Sequence, residues 1–489
     1  MGSERAVIRA DATRAGLERL RNEIDEWLKC RRAADMYLQY STQLDTLDTC
    51  LHRILQALAE VLGNMPPGNA LRDIYQHCHD LDAKLTWTRQ VWRYFADKFD
   101  QRDDPLLADT LAAADEVVWS CFAGAYSQVP ALPRPAAPLP FIDSFYTPNA
   151  IPRDQPYVLR NRVIAAPFLQ EFLAELPLPV IGLPESCQLG PWWLIFIGHE
   201  VGHHLQHDLL PAAGLVAGFR DHLRASTLAA AAGQSPALLA STPAALADRW
   251  AAWGEEVFAD AVSVHAFGPR ASWAMAELIL GNDVAMLAER DGKYPPAVVR
   301  LALMAKLGAA PEPAGPLALA DIDPTDMTTG AALLAQGGAG DLRAAAREHL
   351  LLLPGLASAI NSYDCGGLGP LRILCRWKET HFSPGGAADD WRDSLLGPNP
   401  LALKPGLDAA RLVLSGGLAA WDRLGRLAVS DQRAQAEARL AQRLLDAIIS
   451  SRPEGTRAAK AVPAVADVDA RSLTFAKNLL ELPSEELGL

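Results

Sequence analysis

Five residues constrain this chain more than anything else in it. His199-Glu200-Val201-Gly202-His203 places two imidazoles four positions apart, and a helix is what brings positions i and i+4 onto one face. In that conformation both rings reach a single point with Glu200 beside them, the arrangement that suits a metal ion, its water and a base. The preceding run, Pro191-Trp192-Trp193-Leu194-Ile195-Phe196-Ile197-Gly198, is apolar and has no breaker before Gly198. It predicts a buried helix that delivers His199 to the interior. Val201 and Gly202 are uncharged and small enough to pack closely, whereas a solvated face would carry Lys, Glu or Gln there.

Catalytic zinc usually takes three protein ligands and keeps a fourth position for water, so another ligand must come from elsewhere in the chain. About fifty residues downstream, the run from Trp250 to Val264 reads as a second amphipathic helix bearing Glu255, Glu256 and Asp260. Glu256 and Asp260 share a face, while the residue four after Glu255 is Ala259, which can support nothing by hydrogen bonding. Glu256 is therefore the predicted ligand.

At these residues the chain resembles the gluzincins, thermolysin-like metallopeptidases with HExxH on one helix and Glu-x-x-x-Asp on a later one. The resemblance spans roughly residues 177 to 301, about a quarter of the chain. It implies that His199, His203 and Glu256 bind Zn2+, that Glu200 is the general base, and that Asp260 orients a ligand histidine. The segment joining the two motifs is Ala-rich and longer than in thermolysin. In this it is closer to soluble intracellular bacterial members, in which extra helices separate the zinc helices. Tyr294-Pro295-Pro296-Ala297-Val298-Val299-Arg300 is similar to a His-Pro-Pro-x-x-x-Arg stretch of bacterial relatives, with Tyr294 in place of the His. Tyr294 and Arg300 are thus candidates for transition-state or substrate contacts. His265 is a candidate oxyanion donor, with a plain surface role as its alternative.

The residue types point to amide hydrolysis on their own account. Zinc lowers the pKa of a bound water, Glu200 accepts the proton as a carbonyl is attacked, and the same carboxylate returns it to the leaving amine. His204 lies about 100° around the helix from His203 and reads as a packing or supporting residue. His207, one turn further on, reads as facing solvent near the helix end. Gln206-His207-Asp208 lacks the glycine turn and third His of a metzincin.

A formal net charge of -13 without a long basic run makes nucleic acid and anionic membranes poor partners. No stretch has transmembrane length, and residues 1 to 20 lack the apolar core of a signal peptide. A cytoplasmic protein is expected. The seven cysteines are scattered and odd in number, so no disulfide framework is expected, and His77-Cys78-His79 points its side chains in different directions.

The fold class expected is mainly α, α+β. Residues 1–127 read as a bundle of four helices, one of them carrying Leu44, Leu47, Leu51, Ile54, Leu58 and Val61 as a stripe within Met36–Leu62. Further helices are expected over Ala70–Phe99 and Pro105–Tyr126. Residues 128–156 read as a proline-rich linker, extended through Pro130–Pro140. Residues 157–310 are expected to form a zincin-like metallopeptidase core with a small sheet drawn from residues 157–159, 162–164 and 179–182. One of these pieces is expected to run along the cleft and pair with substrate. Residues 311–489 read as a C-terminal helical region with a loop at Pro311–Pro316 and a loosely ordered segment near 450–466.

The function expected is that of a zinc-dependent metallopeptidase acting on a peptide or protein. Two alternatives stay open: a non-catalytic or regulatory zinc-binding protein whose helical bundle is the working surface, and an effector peptidase activated by a partner in bacterial stress or defence. The helical regions also offer surfaces for a homo-oligomer or a regulatory partner.

Overall fold

A computed structural model of the chain describes residues 2–64, 70–130, 132, 137–151, 158–159, 162–163, 179–209, 214–279, 286–289, 292–308, 339–402, 405–452 and 465–487. The architecture is mainly helical with a small three-stranded sheet and a separate two-stranded pair. Among the described residues no helix is long and apolar enough to cross a membrane.

Four helices open the chain: α1 (Gly2–Ala33), α2 (Ser41–Gly63), α3 (Leu71–Asp100) and α4 (Ala108–Tyr126). The stripe predicted over Met36–Leu62 starts its α-helix later, after a 3-10 turn at Asp35–Tyr40. Tyr37 and Tyr40 of that turn are buried against Phe99, and the Tyr37 hydroxyl donates to the Phe99 carbonyl at 3.1 Å. Tertiary contacts thus hold the turn.

The four helices do not make one bundle. α1, α2 and α3 share a core, but Ala114, Val117, Val118 and Phe122 of α4 lie in a second, larger one. The fourth place in the bundle goes to the last helix, Val465–Glu481, whose Phe475 and Leu479 join Leu51, Leu55 and Trp87. Both outcomes follow from apolar coverage. α2 buries Cys50, Leu55 and Leu62 beyond its predicted stripe and needs a partner there, while α4 is apolar nearly all round and is satisfied only in an interior.

The strands are β1 (Leu139–Asp143), β2 (Asn149–Ile151), β3 (Val158–Leu159), β4 (Arg162–Val163) and β5 (Val180–Pro184). β5 runs between β1, parallel to it, and β2, antiparallel to it, while β3 and β4 pair separately. Two of the three main strands therefore come from the stretch read as a linker. Pro140 is tolerated because β1 is an edge strand. The sheet also divides the molecule: Leu139, Phe141 and Val180 belong to the bundle core, and Ile181 and Leu183 to the larger one. This is the period-two alternation of a strand with two buried faces. The expected loop at 311–316, residues 453–464 of the expected loose segment and most of 130–136 lie outside the described residues.

Where the cores meet, the buried Arg102 donates to Asp115 at 2.8 Å and to the Tyr40 hydroxyl and the Pro140 carbonyl at 2.9 Å each. One cation so ties the end of α3 to α4, β1 and the 3-10 turn.

The larger core is built on α5 (Ile197–Asp208), α6 (Gly214–Ala232), α7 (Pro243–Ala252), α8 (Gly254–Phe267), α9 (Arg270–Ile279) and α10 (Ala297–Leu307). Helices from Ala339 to Ser450 complete it. α5 and α8 touch backbone to backbone. A Cβ on Gly202 would stand 2.6 Å from Ala259 Cα, and one on Gly198 would stand 2.5 Å from the Phe267 ring. The two glycines, one turn apart, remove the side chains that would hold the helices apart.

Gly202→Ala is therefore expected to cost about 1–3 kcal/mol through overpacking, read as a fall in denaturation midpoint, whereas the same change at the open, helical Gly16 should stabilise by up to about 1 kcal/mol. A second expectation concerns pH. His52 joins Asp48 on its own helix to Asp25 on α1, and Asp48 holds the imidazole up at about 9 against burial. A folded pKa above the unfolded one gives stability that is complete below about pH 6.5 and fades as pH rises through about 9. The group is part-exposed, so the loss should be under about 1 kcal/mol, and absent in His52→Ala. Melting curves from pH 6 to 10 check it.

Candidate metal centre

The apolar run ahead of α5 is a 3-10 turn, Pro191–Phe196, with Pro191 at its start, rather than the α-helix expected there. Trp192 of this turn stacks on Trp421 with ring centroids 5.4 Å apart. α5 then begins inside the larger core, and His199 and Glu200 are buried as they enter it.

α8 brings Glu256 to the two rings from its first turn. His199 Nε2 lies 3.2 Å from His203 Nε2 and 3.3 Å from Glu256 Oε2, and His203 Nε2 lies 3.7 Å from Glu256 Oε1. Ligands held about 2.0–2.1 Å from a tetrahedral zinc ion are about 3.3–3.4 Å apart. The first two distances are close to that, the third runs to the other Glu256 oxygen, and one ligand atom from each residue lies within 4.8 Å of the others, which makes these three a metal-competent cluster among the described residues. His203 is the least covered of them, with 16 % of its side chain exposed.

Behind the cluster, Asp260 is fully buried with Oδ1 2.9 Å from His199 Nδ1, which leaves Nε2 turned toward the other ligands. Arg300 of α10 grips the same carboxylate with two hydrogen bonds, Nε to Oδ2 at 2.7 Å and Nη2 to Oδ1 at 2.8 Å. Tyr294 has its ring centroid 5.5 Å from Arg300 Cζ.

The electrostatics follow from burial and from these pairings. Burial alone would push the Asp260 carboxyl up, but Arg300 and His199 outweigh it and hold it at about 2. Burial opposes charge on His199, yet Asp260 and Glu256 hold its ring up at about 10. Burial pushes the His203 ring down to about 4, and the neighbouring His199 adds to the effect. Burial pushes the Glu200 carboxyl up to about 7, with His199 opposing and Glu256 reinforcing. Glu256 stays below the usual carboxylate range: burial would raise it, and His199 and His203 overcome that. The carboxylates draw positive charge to the spot where the three ligand atoms converge, as a cation site requires.

The structure therefore brings His199, Glu200, His203, Glu256, Asp260 and Arg300 together. It does not bring His265, nine residues past Glu256 on α8 and so about 13 Å along the axis. His265 is also no surface residue: it is buried, its ring 5.8 Å from that of Trp377. Glu255 pairs with Arg220 at the surface, while its carbonyl accepts from Gln206 Nε2 at 2.7 Å. His204 is buried, with Nε2 3.2 Å from the Val180 carbonyl oxygen on β5. Gln206, which fixes the start of α8 against α5, had no signal in the sequence beyond its place one turn past His203. The glycine pair did have one, the i, i+4 spacing of Gly198 and Gly202.

No protein-family model, curated protein or solved structure matches this chain.

Replacing a ligand is expected to separate the two adjacent acids. Glu256→Gln should weaken metal binding by more than about 100-fold in a chelator competition, whereas Glu255→Gln should leave it within about threefold. Equal losses from the two would remove Glu256 from the site.

Proposed function

We propose that this chain is a zinc-dependent hydrolase of peptide bonds, built on a zincin-like core. The observation that carries the reading is the cluster of His199, His203 and Glu256, one ligand atom from each within 4.8 Å of the others, with a buried carboxyl, Glu200, adjacent to His199 on the same helix. A site that only braced a fold would have no use for that carboxyl.

His199, His203 and Glu256 would hold the ion, which when bound supplies Lewis acidity, making a water more acidic and polarising a carbonyl. Glu200 takes the proton that the water gives up as its oxygen forms a bond to the peptide carbonyl carbon. When the C–N bond breaks, the same carboxyl passes that proton to the leaving amine, so no proton is gained or lost overall. Asp260 keeps His199 in one orientation throughout. The larger core covers the site on most sides, and the partial exposure of His203 marks the side from which an extended peptide would reach it.

Glu200→Gln tests the reading. Zinc content should match that of the unaltered protein while cleavage of an unstructured peptide library falls by about 100-fold or more. Undiminished cleavage by Glu200→Gln would sink the proposal, as would a library left intact by zinc-loaded wild-type protein.

A further inference from the structure

Arg300 is buried at 5 % exposure, and its guanidinium lies against the ligand cluster. Two of its N–H groups are committed to the two oxygens of Asp260, at 2.7 and 2.8 Å. Nη2 also stands 3.4 Å from His199 Nε2 and 3.5 Å from Glu256 Oε2. One side chain therefore holds the carboxylate beside His199 Nδ1 and lies within 3.5 Å of an atom of each of two ligands, His199 Nε2 and Glu256 Oε2. A carboxylate held at one oxygen can still swing about its last side-chain bond, and a two-pronged donor removes that freedom. It also offsets the cost of burying Asp260 beside Glu256.

We propose that Arg300 is a positioning residue of the metal centre: its fork locks Asp260, and through Asp260 it locks the His199 ring with Nε2 facing His203 and Glu256. The inference rests on reading that cluster as a metal site. It gives Arg300 a role distinct from the substrate contact expected from the sequence, since Nε and Nη2 both donate to Asp260. Tyr294 makes a cation–π contact with the same guanidinium, its ring centroid 5.5 Å from Arg300 Cζ.

The test is metal affinity and ligand geometry rather than turnover. Lysine keeps the charge at this position but offers a point donor that cannot hold both oxygens. In chelator-competition titrations with Co2+, Arg300→Lys should bind about 10–100-fold more weakly. Asp260→Asn should lose a similar factor, and both should shift the visible cobalt spectrum in the same sense. A merely structural arginine would lower the melting temperature and leave that spectrum alone. Wild-type affinity and spectrum in Arg300→Lys would overturn the inference. If the lysine variant does not fold, the uncharged pair Asp260→Asn/Arg300→Gln decides. Affinity within about threefold of Asp260→Asn alone supports action through Asp260, and a further loss of about tenfold overturns it. Wild-type protein that takes up no Co2+ would overturn the metal reading and this inference together. Cobalt uptake by the wild type with an indifferent Arg300→Lys overturns the inference alone.

Discussion

The backbone contact between α5 and α8 is the constraint on which the site depends. Glu256 is a short side chain, and it can meet two imidazoles from a neighbouring helix only where the helices approach without side chains between them. Gly198 and Gly202 provide that approach, with Ala259 and Phe267 filling the space directly opposite. The arrangement has a cost, because glycine inside a helix is worth roughly 1 kcal/mol less than alanine. α5 is only twelve residues long and contains both glycines. Its helicity is therefore a product of burial, with Val201 and Leu205 on the inside and the Trp192–Trp421 stack fixing its entry.

Once the helices are this close, charge becomes the next problem. Glu256, Asp260, Glu200 and Arg300 are all withdrawn from water, with Arg300 within 3.5 Å of both Glu256 and Asp260. Such a group is tolerable only as a connected set in which each charge has a partner. The same solution appears where the two cores join, with Arg102 among Asp115, Tyr40 and Pro140. The two nodes differ in consequence. Arg102 closes a joint between elements, whereas His199, His203 and Glu256 each offer an atom that could hold a metal ion.

Much of the site was legible in the sequence because its information is local. HExxH fixes which residues share a face, and Ala259 decides between Glu255 and Glu256 by offering nothing to the residue four before it. Asp260 was legible by the same spacing. The path of the chain around the site was not. The four-helix unit expected over residues 1–127 is divided in the structure, because the apolar surface that attracts α4 comes from residues far downstream, and the helix completing the bundle begins at Val465. β1 and β2 were hidden in a proline-rich stretch, since strand character there depends on β5 offering a free edge on each side. Arg300 and Asp260 were each singled out, but their pairing, across forty residues and between two helices, was not.

The sequence by itself determined the chemistry available: two imidazoles, three carboxyls and a helical period that sets four of these groups, in pairs, one turn apart on two segments. Periodicity acts over a few residues and so can be read without a fold. Only the tertiary structure decided that the segments meet, how closely, and which arginine stands behind them. Those outcomes depend on which apolar faces cover one another across hundreds of residues, and no local pattern records that choice.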